Sequence, residues 1–349
     1  STRAGLQQER DRLEAEVRRT HRRHRADGTR ATEFDADHIR AMVGDTVLVV
    51  LVALDGALSA ITVDKGRVRR GTVGSLEDAL QEARFARFAL RRAAYGRIAD
   101  LRATAVRLER ALLGENSPEW AQRNVVVVPP ADLLTASWGL LPCFADTLLT
   151  VSPSATLWAV ARGRPKQDGH IALITGPGLS TGENEVTTLS PLHRQARAIG
   201  GDDASVAKTL EVLDGARLAH VAAHGTFRAD APMFSSLQLS DGPLTVHDLD
   251  RLNRPPAEMV LSACDSGNAA PIGAHEALGL VSSLLAMGTA TVLASVVPVN
   301  DRATIGVMRD VHDVVGRGGS LAEGWLAARQ AAADPLSQAT AAAFTAWGA

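Results

Sequence analysis

From about residue 155 onward the chain repeats one pattern: a short apolar run, a turn, an amphipathic stretch, then another apolar run. The runs lie at 170–175 (HIALIT), 218–223 (LAHVAA), 258–263 (EMVLSA) and 289–297 (TATVLASVV). Each is strand length, and apolar residues fill both faces, as in strands covered on both sides. The intervening stretches predict helices over 183–199, 204–213, 275–287, 303–315 and 320–333. Strands alternating with helices at this spacing predict an α/β fold, a mostly parallel sheet with helices on both faces.

The chain before that region reads differently. Residues 46–54 (TVLVVLVAL) and 57–63 (ALSAITV) flank Asp55-Gly56, a pair suited to the positive φ of a two-residue hairpin turn. Residues 75–113 read as helical, with apolar side chains at Leu76, Leu80, Phe85, Phe88, Ile98, Leu101, Leu108 and Leu112, and with Gly96 as a divider. The run 124–128 (NVVVV), stopped by Pro129, reads as a strand buried on both faces. Leu6, Leu13 and Val17 give residues 1–26 a helical period, and the basic run 18–25 reads as a solvated helix end. Three segments are expected: a linker helix over 1–28, a smaller region over 29–155, and the α/β domain over 156–349. The chain opens on Ser1, so it is read as a piece of a longer protein.

Composition narrows the function. In 349 residues, 46% are hydrophobic and 22% charged, enough to build a core and too apolar for global disorder. Lys and Arg total 37 against 39 Asp and Glu, so no basic face argues for nucleic acid. No apolar run reaches the ~18 residues of a membrane span, and no signal peptide is apparent. A cytoplasmic protein with no membrane contact is expected. Two cysteines are too few for a disulfide framework or a zinc cluster. There is no HExxH, and Gly176-Pro177-Gly178 lacks the Lys-Ser/Thr of a P-loop, so neither metal nor cofactor is expected.

In an open parallel sheet, ligands bind beyond the carboxyl ends of the strands. Two of the runs end in chemistry there. His224-Gly225 follows 218–223, and Cys264-Asp265-Ser266-Gly267 follows 258–263. On neighbouring strands the two side chains would meet, and a thiol beside an imidazole becomes a thiolate–imidazolium pair. The N–H groups of Gly225 and Cys264 would then form an oxyanion hole. Taken singly, a Cys at a strand end is a small buried hydrophobe and a His there a loop residue; together, each beside a glycine, they favour catalysis. His220 reads as a core or hydrogen-bonded residue, His247 as part of a helix or loop cap, and Cys143 as inert core.

Residues 218–227 (LAHVAAHGTF) and 260–267 (VLSACDSG) closely resemble the CHAT domain family, caspase-like cysteine peptidases often joined to tetratricopeptide repeats. The likeness continues in SWGLLPCF at 137–144, VSPSATL at 151–157, the Gly-Pro stretch leading to Glu185-Val186, LTVHDL at 244–249 and ASVVPVND at 294–301. It implies a caspase-like domain preceded by a smaller, degenerate protease-like half over 29–155. It also implies an endopeptidase with His224 as general base and acid and Cys264 as nucleophile, acting on a protein or peptide and regulated by an upstream sensor or repeat region. A catalytically silent caspase-like scaffold or binding module is the alternative.

Two departures touch specificity. Val297-Pro298-Val299 stands where the family has Trp-Pro-Val, and Glu276 alone remains of an acidic pair. Asp265, Ser266, Glu276, Val297, Val299, Asn300 and Asp301 are the candidate pocket residues. Buried carboxylates would select a cationic side chain before the scissile bond; Val297 and Val299 would select Leu or Met; an acidic side chain is disfavoured in both cases. The segment 267–274 is expected to need a partner or ligand to order it.

Overall fold

The computed structural model describes residues 35–349 apart from 98, 115–119, 121–122, 180, 227–234 and 263–273, and gives only the backbone of 274–279. The chain divides into two compact units, Ser1–His38 and Ile39–Ala349, and everything below concerns the second.

In chain order the strands are β1 Val47–Leu54, β2 Ala57–Asp64, β3 Arg67–Ser75, β4 Val125–Val128, β5 Leu149–Val151, β6 Ile171–Thr175 and β7 Ala196–Ile199. They continue as β8 Leu218–Ala222, β9 Gly225–Thr226, β10 Ser236–Gln238, β11 Pro243–Thr245, β12 Glu258–Leu261, β13 Thr291–Ser295 and β14 Phe344–Gly348. Among the described residues, eleven of these form one sheet in the order β3-β2-β1-β4-β5-β14-β13-β12-β8-β6-β7, and β11-β10-β9 form a small second sheet. Strands β1, β4, β5 and β14 run parallel to one another. So do β13, β12, β8, β6 and β7. The two blocks meet at the antiparallel β13–β14 pair and point in opposite directions.

The hairpin forms as its sequence requires. Leu54 pairs with Ala57 around Asp55 (φ 49°) and Gly56 (φ 76°), both left-handed as a type I′ turn demands. Lys65 and Gly66 repeat the device between β2 and β3. Strand β3 was not expected: its sequence, RVRRGTVGS, buries no residue. Its arginines line a sheet edge, where charge discourages pairing with another chain.

The centre of the sheet is apolar on both faces; β4, β6, β8 and β14 are buried at every position. Trp138, Trp158, Trp325 and Trp347 are fully buried. Each removes about 150–250 Å² from water, worth roughly 4–6 kcal/mol before the entropy of ordering is charged against it. The helix Asp301–Gly316 turns Thr304, Val307, Met308, Val311, His312 and Val315 inward, a stripe at three- and four-residue spacing.

Several expectations need correction. The helix expected over 183–199 spans only Gly182–Leu189. Pro191 cannot supply the next helical N–H, a short 3-10 turn follows, and Ala196–Ile199 becomes edge strand β7 beside β6. The long helical stretch does split at Gly96, into Leu76–Ala94 and Leu101–Leu113. The first helix buries Ala79, Ala83, Ala86, Ala89, Leu90 and Ala94, and the second buries Leu108 and Leu112 as expected. Phe85 and Phe88 are exposed, with the guanidiniums of Arg107 and Arg92 over their rings. Further pieces were not expected: β5, the helix Ala155–Arg162, the small sheet β9–β11, the helix Pro335–Ala343, and β14. Expected elements at 1–26 lie outside the described residues.

Candidate active site

Because β6, β8, β12 and β13 are parallel, their carboxyl ends share one edge of the sheet. Strand β8 stops at Ala222; buried Ala223 follows, and then His224 emerges half-buried. Its carbonyl accepts the Gln238 N–H at 2.7 Å, which makes 224 and 238 a hydrogen-bonded pair. In antiparallel ladders such pairs alternate with unbonded ones. Gly225, opposite Leu237, therefore directs its N–H away from β10.

The turn after β6 walls the imidazole. Gly176 donates its N–H to the Ala222 carbonyl at 2.8 Å. A Cβ at Gly176 would stand 2.5 Å from the Gln238 oxygen and 2.8 Å from Ala223 Cβ, so only glycine fits. A Cβ at Gly178 would lie 3.7 Å from His224 Nε2. In the sequence this Gly-Pro-Gly belongs to the family likeness and lacks the residues of a phosphate loop, but nothing local ties it to His224. Its position at the end of the strand beside β8 is the signal that places it next to His224.

Strand β12 lies beside β8 with Leu218 opposite Glu258 and Val221 opposite Leu261. Ser262 continues the ladder, donating its N–H to the Val221 carbonyl at 3.0 Å. Cys264, Asp265 and Ser266 lie outside the described residues, as do the segment expected to need ordering, but for its last backbone position, and the side chain of Glu276. Val297 and Val299 are buried in the main core. Asn300 caps the helix Asp301–Gly316 by accepting the Ala303 N–H, and its amide donates to the Ala94 carbonyl at 3.3 Å. Asp301 sits half-buried in that helix's first turn. Cys143 lies in the 3-10 turn Pro142–Phe144 with its N–H bound to Glu109 at 2.7 Å. Burial and the Glu109 carboxylate push its thiol far up, so it stays protonated and unreactive.

Beneath His224 runs a buried polar chain. Ser262 Oγ donates to Glu185 Oε1 at 2.9 Å. His220 Nε2 stands 3.2 Å from the same oxygen, within ion-pair range but off the line of a hydrogen bond. His220 Nδ1 meets His312 Nε2 at 3.0 Å, and His312 Nδ1 meets His193 Nε2 at 2.8 Å. All five residues are buried; His220 and His312 are fully so. Burial, then the neighbouring imidazoles and Arg217, hold His312 well below the usual histidine range. Burial, then Arg217 and His220, push His193 down to about 4. The ring nitrogens face each other at hydrogen-bond distance, leaving no room for an ion between them. Among the described residues no cluster of three or more His, Cys, Asp or Glu is arranged to hold a metal. Nor is any described helix long and apolar enough to cross a membrane. His220 has the core role its strand position suggested. His312 and His193 were missed; the signal for His312 is a titratable residue inside an apolar helical stripe.

Two structures of a Saccharomyces cerevisiae separase–securin complex superpose on the chain with TM-scores of 0.68 and 0.66, at 11% and 10% sequence identity. Each match covers 89% of this chain and 30% of the other, so the chain spans under a third of those proteins' length. At such identity the likeness concerns the fold: a mostly parallel, caspase-like sheet with helices on both faces. No curated protein sequence matches. The sequence profile of the CHAT domain matches residues 142–349, well over half of the chain, which therefore belongs to the CHAT domain family and carries its caspase-like protease scaffold.

Proposed function

We propose that the chain is a cysteine endopeptidase that cleaves a protein or peptide with a His224–Cys264 dyad. One observation carries this reading: β8 and β12 are neighbouring parallel strands whose partners are offset by 40 residues throughout, the same offset that separates His224 from Cys264. Adjacent strands lie about 4.8 Å apart, so matched positions just past their ends fall within reach of each other. His224 takes the thiol proton, and the thiolate attacks the scissile carbonyl carbon. The N–H groups of Gly225 and Cys264 receive the oxyanion. His224 then gives its proton to the departing amine, and water, deprotonated by His224, hydrolyses the thioester. Val297, Val299, Asn300 and Asp301, with Asp265, Ser266 and Glu276, belong to the walls around the substrate side chain. An upstream sensor region or a partner controls the site of this cytoplasmic enzyme.

A peptide-library cleavage screen tests the reading. Cys264→Ala abolishes turnover, Cys143→Ala retains it, and His224→Ala loses about 10²–10⁴-fold. Undiminished cleavage by the Cys264→Ala protein would refute the mechanism.

A further inference from the structure

We propose that His193, His312 and His220 form a single-file proton relay that ends beside Glu185, whose Oε1 holds Ser262 two residues before Cys264, with Glu185 and His220 as positioning residues for that strand end. The link to Cys264 rests on the dyad reading above; the relay itself does not.

With neutral rings the two contacts order the protons in one direction, all on Nε2 or all on Nδ1, and the Glu185 oxygen 3.2 Å from His220 Nε2 selects the first. In that state each imidazole carries its proton on Nε2. His193 Nε2–H then donates to His312 Nδ1, and His312 Nε2–H donates to His220 Nδ1. The His220 Nε2–H is left facing Glu185 Oε1. Now let a proton bind His193 Nδ1. His193 passes its Nε2 proton to His312 Nδ1, and His312 passes its own to His220 Nδ1. His193 and His312 have reversed tautomer, no heavy atom has moved, and His220, protonated on both nitrogens, is an imidazolium beside the Glu185 carboxylate. One proton has gone in at one end and one charge has appeared at the other.

The surroundings permit this and no more. A Cβ at Gly316, an exposed helix-end residue, would lie 3.7 Å from His193 Nδ1, so that nitrogen faces the protein's edge. Besides one another, the rings face Glu185 from the helix Gly182–Leu189 and Arg217 from the segment before β8, whose guanidinium donates to the Val315 carbonyl at 3.2 Å. Arg217 opposes a charge on His193 or His312, whereas the Glu185 carboxylate stands 3.2 Å from His220 Nε2. The added charge therefore settles next to Glu185, whose Oε1 also holds Ser262. A change of charge at that oxygen acts on Ser262, two residues before Cys264 in sequence.

The experiment uses the whole chain carrying Cys143→Ala, so that Cys264 is its sole thiol. Imidazole ¹⁵N spectra are recorded against pH, alongside the iodoacetamide alkylation rate of Cys264. In the unsubstituted relay the three rings should share one first midpoint, with His193 and His312 reversing tautomer as His220 becomes charged, and the alkylation profile should inflect at the same pH. His193→Gln keeps an amide where Nε2 was but carries no proton through. It should shift the His220 nitrogen signals, though the two rings do not touch, and erase the inflection. Glu185→Gln keeps an acceptor for Ser262 and should also lose the inflection. Three independent midpoints without any variant, or His220 signals unmoved in His193→Gln, would overturn the relay. Coupled rings with no inflection at Cys264 would overturn the positioning role. An absence of peptide cleavage with the coupling intact would tell against the peptidase reading alone.

Discussion

Acid should destabilise this protein through His193, and the size of the effect follows from its burial. An unfolded chain holds a histidine proton below about pH 6.5, whereas folded His193 is pushed down to about 4 by burial, Arg217 and His220. A base whose proton affinity falls on folding stabilises the fold fully above the unfolded value. That contribution is lost as pH drops from about 6.5 to about 4, because the unfolded state gains the proton first. The difference of about 2.5 units, at about 1.36 kcal/mol each, is worth about 3 kcal/mol. His193→Gln removes the group. Urea unfolding at pH 7.5, 6.5, 5.5 and 4.5 should therefore show the wild type losing about 3 kcal/mol more than the variant over that window. Carboxylates such as Asp64, held low by its Arg123 partner, lose stability in both proteins and cancel in the difference. Equal pH slopes with unchanged m-values would refute the burial argument.

The Gly176→Ala protein should be destabilised by about 1–3 kcal/mol, because the new Cβ meets the Gln238 backbone oxygen at 2.5 Å and cannot be relieved by a side-chain rotation. Its peptide turnover, measured below the unfolding transition, should fall as well, since Ala223 is displaced with His224 attached. Trp325→Ala should cost about 3–5 kcal/mol in chemical denaturation: the ring is fully buried, lies 4.4 Å from the Arg329 guanidinium, and donates to the Ala341 carbonyl at 2.9 Å. Trp325→Phe should cost less, because it keeps most of the volume and loses mainly that hydrogen bond; equal costs would show that volume is not what the site needs.

What could be read in the sequence follows the physics of each signal. Asp55-Gly56 between two apolar runs gave one geometry because few residues accept positive φ, and the buried strands were legible because water excludes such runs wherever they pack. The helix expected through Pro191 shows the opposite case: its apolar period continued, and a missing N–H outweighed it. Strand β3 is held by the Lys65-Gly66 turn and its neighbour β2, with no buried side chain to mark it. At the site, His224 and Gly225 were visible as residues at a strand end. The wall made by Gly176 and Gly178 was not, because it depends on β6 lying beside β8. The His193–His312 contact joins residues 119 positions apart, and no local pattern records it.

The position of β14 has a consequence for how the molecule is made. It is the last strand in sequence and sits between β5 and β13, joining two blocks that otherwise share no ladder. On a ribosome adding about 5–20 residues per second, β5 is complete roughly 10–40 seconds before Phe344–Gly348 is synthesised. For that interval β5 presents an unpaired apolar edge, joined by β13 for about the last 3–11 seconds, the kind of surface on which nascent chains aggregate or recruit chaperones. Closure of the sheet is thus an event timed by synthesis. Slowing translation between β13 and β14 lengthens the exposure, and supplying Phe344–Gly348 as a separate peptide to a chain truncated before it would restore the join.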